Sequence, residues 1–363
     1  MAITEAKIKE ALRSVIDPDL EKDIISLDMV KNITIGDNTI SFTVTLATPA
    51  NPYKEKIKSE SIKAVQQLAQ VDVDVTMSHQ VSKSRVEGQG DHELLKDVKN
   101  IIAVASGKGG VGKSSVAVNM GCALSQSGAK VGIVDTDIYG PSIPTMFGLT
   151  ERPKINDEKK LIPLEKYNIK LLSMGLLVDE DQAVVWRGPM VSSAVKQFLS
   201  DTEWGELDYL ILDLPPGTGD IQLTIVQSVP LTGAVIVSTP QDVALDDARK
   251  GVAMFNKVNV PVLGVVENMA YFIPPDLPDN KYYIFGRDGA RKLAEKLEVP
   301  FLGEVPLEQK LREGADSGTP IVISEPEAAT STALTGIANG VARQIAIRNH
   351  ADAPQEKINV MFK

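Results

Sequence analysis

Residues Gly107-Lys108-Gly109-Gly110-Val111-Gly112-Lys113-Ser114 spell a G-x-x-x-x-G-K-S loop. A loop of this pattern turns a ring of backbone N–H groups toward a polyphosphate; its lysine reaches the β- and γ-phosphates and its hydroxyl a magnesium ion. Lys113 and Ser114 hold those two places, with Ser115 next in line. The flanking residues suit the motif. Ile101-Ile102-Ala103-Val104-Ala105 is an apolar run of the kind found in buried parallel strands. Ser115 to Met120 open a helical pattern, and a helix N-terminus favours a phosphate. The predicted chemistry is nucleotide binding with Mg²⁺.

Other residues complete such a site. Asp213 follows the apolar run Tyr209-Leu210-Ile211-Leu212, where an acid at a strand end serves the metal, usually through water. Leu214-Pro215-Pro216-Gly217 follows, and Gly217 would let a backbone N–H approach the γ-phosphate and sense its loss. Asp135 and Asp137 end the run Val131–Val134, and ligands gather at strand carboxyl ends in α/β sheets. Asp135 is assigned to the metal shell and Asp137 to orienting the attacking water. Lys108 has two readings, a solvated loop lysine or a cation reaching a phosphate across a dimer interface, as arginine fingers do in trans. Asn268, at the end of Val262–Val266, carries an amide able to read the adenine edge. Cys122, on the helix after the loop, reads as a small buried packing residue.

The elements that must position these residues are legible from periodicity. From residue 98 onward, apolar strands at 101–105, 131–134, 169–173, 209–212, 233–238 and 261–266 alternate with helical patterns. The helices are expected at 113–127, 189–200, 219–228, 242–257, 287–297 and 327–348. That alternation predicts a doubly wound, mostly parallel α/β sheet. Residues 1–78 read as a small α+β domain. Thr4 is an N-cap candidate for the stripe Ile8, Leu12, Val15 and Ile16. Two strands flank the turn Gly36-Asp37-Asn38, a second helix carries Ile57, Ile62, Val65 and Leu68, and Val71, Val73 and Val75 alternate as a third strand. Residues 79–97, with Gly88-Gln89-Gly90, read as a linker, 98–348 as the nucleotide domain and 349–363 as a polar tail.

Composition bounds the function. The 363 residues carry a net charge of −10, which speaks against nucleic acid or an anionic membrane as partner. No stretch is apolar enough to span a bilayer, and Glu5 and Glu10 interrupt any signal-like N-terminus, so a cytoplasmic protein is expected. With the single cysteine Cys122 and histidines only at 79, 92 and 350, an intrachain disulfide is impossible and a Cys/His zinc site is not expected.

Together these motifs resemble a known family. The loop with Lys108 resembles the deviant Walker A motif of MinD/ParA-like (SIMIBI) ATPases. Asp135-Thr136-Asp137-Ile138-Tyr139-Gly140-Pro141-Ser142, Trp186-Arg187-Gly188-Pro189-Met190, Leu212 to Asp220, Thr239-Pro240-Gln241-Asp242 and Glu267-Asn268-Met269 are similar to the Mrp/ApbC branch of iron–sulfur cluster carrier ATPases. Residues around Asp17-Pro18-Asp19 and Asp28-Met29-Val30 resemble the MIP18-like domain often fused to them. The resemblance implies an ATP-binding homodimer with slow hydrolysis, in which Lys108 reaches the partner's nucleotide and Asn268 belongs to the adenine site. It also implies iron–sulfur scaffold and client apoproteins as partners. In that branch a Cys-x-x-Cys pair after the Glu-Asn-Met motif shares a 4Fe–4S cluster between subunits. Here Pro274 and Leu277 stand at those places, and Asn51 stands where the MIP18-like domain often has a cysteine, so no cluster ligands are identifiable. A role in cluster assembly, a MinD/ParA-like positioning ATPase and a nucleotide-switched adaptor that holds no cluster remain the three functional readings.

Overall fold

The structure is a computed structural model that describes residues 3–68, 71–84, 95–138, 140–176, 188–274, 276–277 and 279–351. Tyr139, Trp186, Arg187, Gly88-Gln89-Gly90 and residues 352–363 lie outside the described residues. The chain forms two compact units, Met1–Glu87 with Arg343–Lys363, and Gly88–Ala342.

The first unit opens with α1 (Glu5–Leu12), then the short strands β1 (Ile16–Asp17) and β2 (Lys22–Asp23). Strands β3 (Val30–Ile35) and β4 (Thr39–Leu46), helix α2 (Lys54–Gln66) and strand β5 (Asp72–His79) follow. Thr4 is the N-cap residue of α1, without a side-chain cap hydrogen bond. β3 pairs antiparallel with β4 across the Gly36–Asn38 turn, and β5 pairs parallel with β4 after the α2 crossover. β4 alternates strictly: Ile40, Phe42, Val44 and Leu46 turn inward onto Ile8, Leu12, Ile57 and Val65. One apolar face per strand and one stripe per helix close this core.

The second unit is built on an eight-stranded sheet. In chain order it contains β6 (Val98–Ala105), α3 (Lys113–Gln126), β7 (Val131–Asp135), α4 (Ile143–Phe147), β8 (Lys154–Ile155), β9 (Leu161–Ile162), β10 (Leu164–Lys166) and β11 (Ile169–Ser173). Then come α5 (Gly188–Ser200), β12 (Leu207–Asp213), α6 (Asp220–Ser228), β13 (Gly233–Ser238), α7 (Asp242–Lys257), β14 (Val262–Phe272) and α8 (Gly289–Lys296). The rest is β15 (Phe301–Leu307), α9 (Gln309–Asp316), α10 (Ile321–Ser324) and the part of α11 (Ala329–Ala351) up to Ala342. The strand order is β10-β11-β7-β12-β6-β13-β14-β15, parallel throughout except for β10 against β11. Strands β7, β12 and β13 are buried along their whole length, as central parallel strands covered on both faces must be. The doubly wound architecture matches the expectation. β15 was not anticipated, because Gly303 and Pro306 break its apolar pattern.

Candidate functional site

The site sits where the central strands end. β6 lies beside β12, and β12 beside β7, with Asp213 opposite Asp135 in register. The loop after β6 therefore runs past the ends of β12 and β7, and the strand order alone brings together residues about a hundred positions apart.

The loop enters α3 at Gly112, which is the N-cap residue with φ +80°. A side chain there would strain the backbone and overlap the amide of Asn268. At the loop's start, a Cβ on Gly107 would overlap the backbone of Asp247 on α7. The loop is thus clamped between α7 and the end of β14.

Lys113 is buried, and its ammonium donates to Asp213 Oδ1 at 2.5 Å and to Ser114 Oγ at 3.2 Å. The Ser114 hydroxyl donates to Asp213 Oδ2 at 2.5 Å. One fully buried carboxylate thus holds both functional side chains of the loop. Burial pushes the Asp213 carboxyl up, while Lys113 and the Ser114 hydroxyl pull it back. Asp135 is also fully buried. Burial and the neighbouring Asp213 push it up to about 7, against donors from the backbone. Its Oδ1 accepts the Asp137 N–H at 3.1 Å, and its Oδ2 accepts the N–H groups of Ser142 and Ile143 and the Ser173 hydroxyl at 3.0, 3.1 and 3.1 Å. These donors make Asp135 a brace of the segment that follows β7, while Ser114 and Asp213 stay paired with Lys113 and with each other until a cation takes those contacts. That hard-oxygen pair beside a phosphate loop fits Mg²⁺.

Asp137 is buried and lies close enough for its charge to act on Asp213. Lys108 is half-buried, and among the described residues its ammonium makes no ion pair. Asn268 is 2% exposed; its Nδ2 donates to the Val111 carbonyl at 2.8 Å, and its Oδ1 has no partner among the described residues. Gly217 is half-buried with φ +104° and open space where a Cβ would stand. Cys122 is fully buried, and desolvation pushes its thiol up to about 12. Pro274 and Leu277 lie just beyond β14.

Three further residues belong to this arrangement. The Thr136 N–H and hydroxyl both donate to the Asp213 carbonyl, at 3.0 and 2.8 Å. Ser173 enters from β11, and Ser106 precedes the glycine loop. Thr136 and Ser106 could have been suspected from adjacency to motif residues; nothing local marks Ser173.

A buried lysine, a hydroxyl and a strand-end carboxylate around a glycine loop define a P-loop nucleotide-binding protein. Comparison with known proteins narrows the class. The profile of the NUBPL iron-transfer P-loop NTPase family matches residues 97–342, and that of an iron–sulfur cluster assembly protein domain matches residues 5–77. The iron-sulfur cluster carrier protein of Synechocystis sp. is 50% identical over 352 residues, covering 95% of this chain and 99% of the relative. The Escherichia coli K12 protein of that name is 45% identical, covering 94% and 95%. A solved nucleotide-binding protein from Archaeoglobus fulgidus in complex with ADP superposes with a TM-score of 0.57 at 40% identity, over 65% of this chain and 92% of that one. The chain belongs to the NUBPL iron-transfer P-loop NTPase family and carries the iron–sulfur cluster assembly domain at its N-terminal end.

Proposed function

We propose that this protein is a homodimeric ATPase, slow in turnover, that serves iron–sulfur cluster assembly and transfer to apoproteins in the cytoplasm. The observation that carries the reading is the Lys113–Asp213–Ser114 cluster in a chain of this family. Lys113 exchanges its contact with Asp213 for the β- and γ-phosphate oxygens of ATP. The loop N–H groups from Gly107 to Ser115 cradle the phosphates. Ser114 and Asp213 would hold Mg²⁺, with Asp135 behind them, and the cation would supply charge neutralisation on the phosphates. Asp137 orients the attacking water, and Gly217 responds to the γ-phosphate. Asn268 spends one amide N–H on Val111 and keeps a buried Oδ1 without a partner among the described residues, an acceptor that suits the exocyclic amine of adenine. Lys108 reaches the partner subunit's nucleotide.

A dimer through this face is supported by exposed apolar residues that follow the carboxyl ends of parallel strands. Met190 opens α5, Val243 opens α7, and Leu277, Tyr282 and Ile284 lie between β14 and α8; they are 45–69% exposed. The domain division 1–78, 79–97, 98–348 and 349–363 belongs to the same reading, with the first part recruiting scaffold and client apoproteins.

Cluster ligation is the point at which this chain departs from the resemblance. Clusters are generally held by thiolates, and the one cysteine is a buried, protonated thiol. The cluster as cargo therefore needs ligands from a partner or a thiol cofactor, or the protein acts as an adaptor that holds none. Lys113→Ala tests the main reading. It should abolish ATP hydrolysis and impair maturation of iron–sulfur client enzymes in cells carrying only that variant. Normal client activity with a dead ATPase would overturn the proposal. Anaerobic incubation with iron and sulfide, with elemental analysis per chain, separates carrier from adaptor.

A further inference from the structure

Lys108 is flanked by two residues that face one loop. Ser106, the first residue after β6, is 2% exposed. Its carbonyl accepts the Gly217 N–H at 2.9 Å, and its hydroxyl donates to the Lys108 carbonyl at 2.9 Å. On the other side of Lys108, the position of a Cβ on Gly109 has Pro216 Cγ, 4.0 Å away, as its nearest neighbour. Two residues earlier, the Leu214 N–H donates to the Val104 carbonyl at 3.0 Å, so the start of the 214–217 segment is pinned to β6. The two ends of the segment differ in their freedom. Leu214 is fully buried, whereas Pro216 is exposed, Gly217 is half-buried and open space adjoins Gly217.

We infer that Ser106 is a positioning residue that makes the reach of Lys108 conditional on the γ-phosphate. The inference rests on the proposed ATPase reading. The Gly217 N–H is a single donor. It cannot serve the Ser106 carbonyl and a γ-phosphate oxygen with full strength, so a charged phosphate draws it away from Ser106. The segment pivots about Leu214, and Pro216 and Gly217 shift against Gly109 and Ser106. Because those two residues flank Lys108, the shift acts on its backbone from both sides. The Ser106 hydroxyl holds the Lys108 carbonyl through the shift, so that the lysine moves with the loop and does not swing freely. Loss of the γ-phosphate returns the N–H to Ser106 and withdraws the lysine.

The test measures steady-state ATP hydrolysis, and self-association by sedimentation in ATPγS and in ADP, for wild type, Ser106→Ala, Ser106→Thr and Pro216→Ala. Removal of the hydrogen bond from the Ser106 hydroxyl to the Lys108 carbonyl should lower kcat of Ser106→Ala about five- to tenfold with KM within about twofold. It should also shrink the ATPγS-to-ADP difference in self-association by a similar factor. Ser106→Thr keeps the hydroxyl and should restore at least half of the loss. Pro216→Ala removes the ring that lies nearest Gly109 and should move both quantities in the same direction. The relay is overturned if Ser106→Ala and Pro216→Ala keep kcat and the nucleotide dependence within twofold of wild type. It is equally overturned if KM rises and melting temperature falls in step with the loss of kcat, which is the mark of a merely structural role. A wild-type protein without turnover would overturn the ATPase reading itself and the relay with it.

Discussion

Gly112→Ala puts the clamp on the phosphate loop to a quantitative test. The residue has φ +80°, a conformation that costs a non-glycine residue about 1–2 kcal/mol. The added methyl also enters the space of Asn268 Nδ2, which donates to the Val111 carbonyl at 2.8 Å inside a buried site. Displacing that amide leaves a buried donor and acceptor unmatched, at about 1–3 kcal/mol. The sum is about 2–5 kcal/mol, or roughly 30-fold to several thousand-fold in an equilibrium constant. The substituted loop can escape most of this cost by moving off its position before nucleotide arrives. The penalty then falls on binding, where the phosphates require the loop back in place. The melting temperature without nucleotide should therefore drop only slightly, while affinity for ATP, measured by calorimetry, falls at least about 30-fold. Affinity within threefold of wild type would mean that the loop's shape does not depend on this glycine, and the account of the clamp would be wrong.

Other expectations follow from single residues. Cys122, fully buried with its thiol pushed up to about 12, should resist iodoacetamide at pH 8 in the folded protein and react once unfolded in urea; stoichiometric labelling of the native chain would contradict its placement. Asn268→Leu removes the buried acceptor and should lower ATP affinity about tenfold while narrowing discrimination against GTP, with unchanged selectivity as the refuting result. Glu267 accepts the Ala290 N–H at the start of α8, yet burial raises its pKa above the ordinary 4.5. The folded state therefore binds its proton more tightly than the unfolded chain, and ionisation of this group lowers stability as pH rises above that ordinary value. Relative to Glu267→Gln, the wild type should lose melting temperature between pH 4.5 and 8; a constant difference, or one of opposite sign, would show that burial does not govern this carboxyl.

The residues that do chemistry were mostly legible in the chain because their signal is local. A glycine loop between an apolar run and a helix has few alternative meanings. Asp213 and Asp135 announce themselves as acids closing buried strands. The alternation of strands and helices predicted the wound sheet, and strict alternation in β4 predicted the packing of the small domain. Shorter or broken patterns were lost. β15 is interrupted by Gly303 and Pro306, and α10 has only four residues, too few to display a helical period.

What tertiary structure alone decided is which groups spend their hydrogen bonds on one another. Sequence offered Asn268 as a side chain that both donates and accepts. Only the fold, by placing the end of β14 against Val111, commits one of its N–H groups and leaves the buried carbonyl oxygen without a partner among the described residues. Sequence offered Asp135 as a metal-shell acid. Only the arrival of Ser173 from β11 and the turn at Ser142 surround it with donors and make it a brace. Lys108 was an ambiguous loop lysine, and its neighbours Ser106 and Gly109 acquired meaning only when the 214–217 segment came to rest on them. Residue type and spacing fix what a group is able to bond. Which bonds it makes depends on the few donors and acceptors that packing brings within about 3 Å, and those come from strands adjacent in the sheet but remote along the chain.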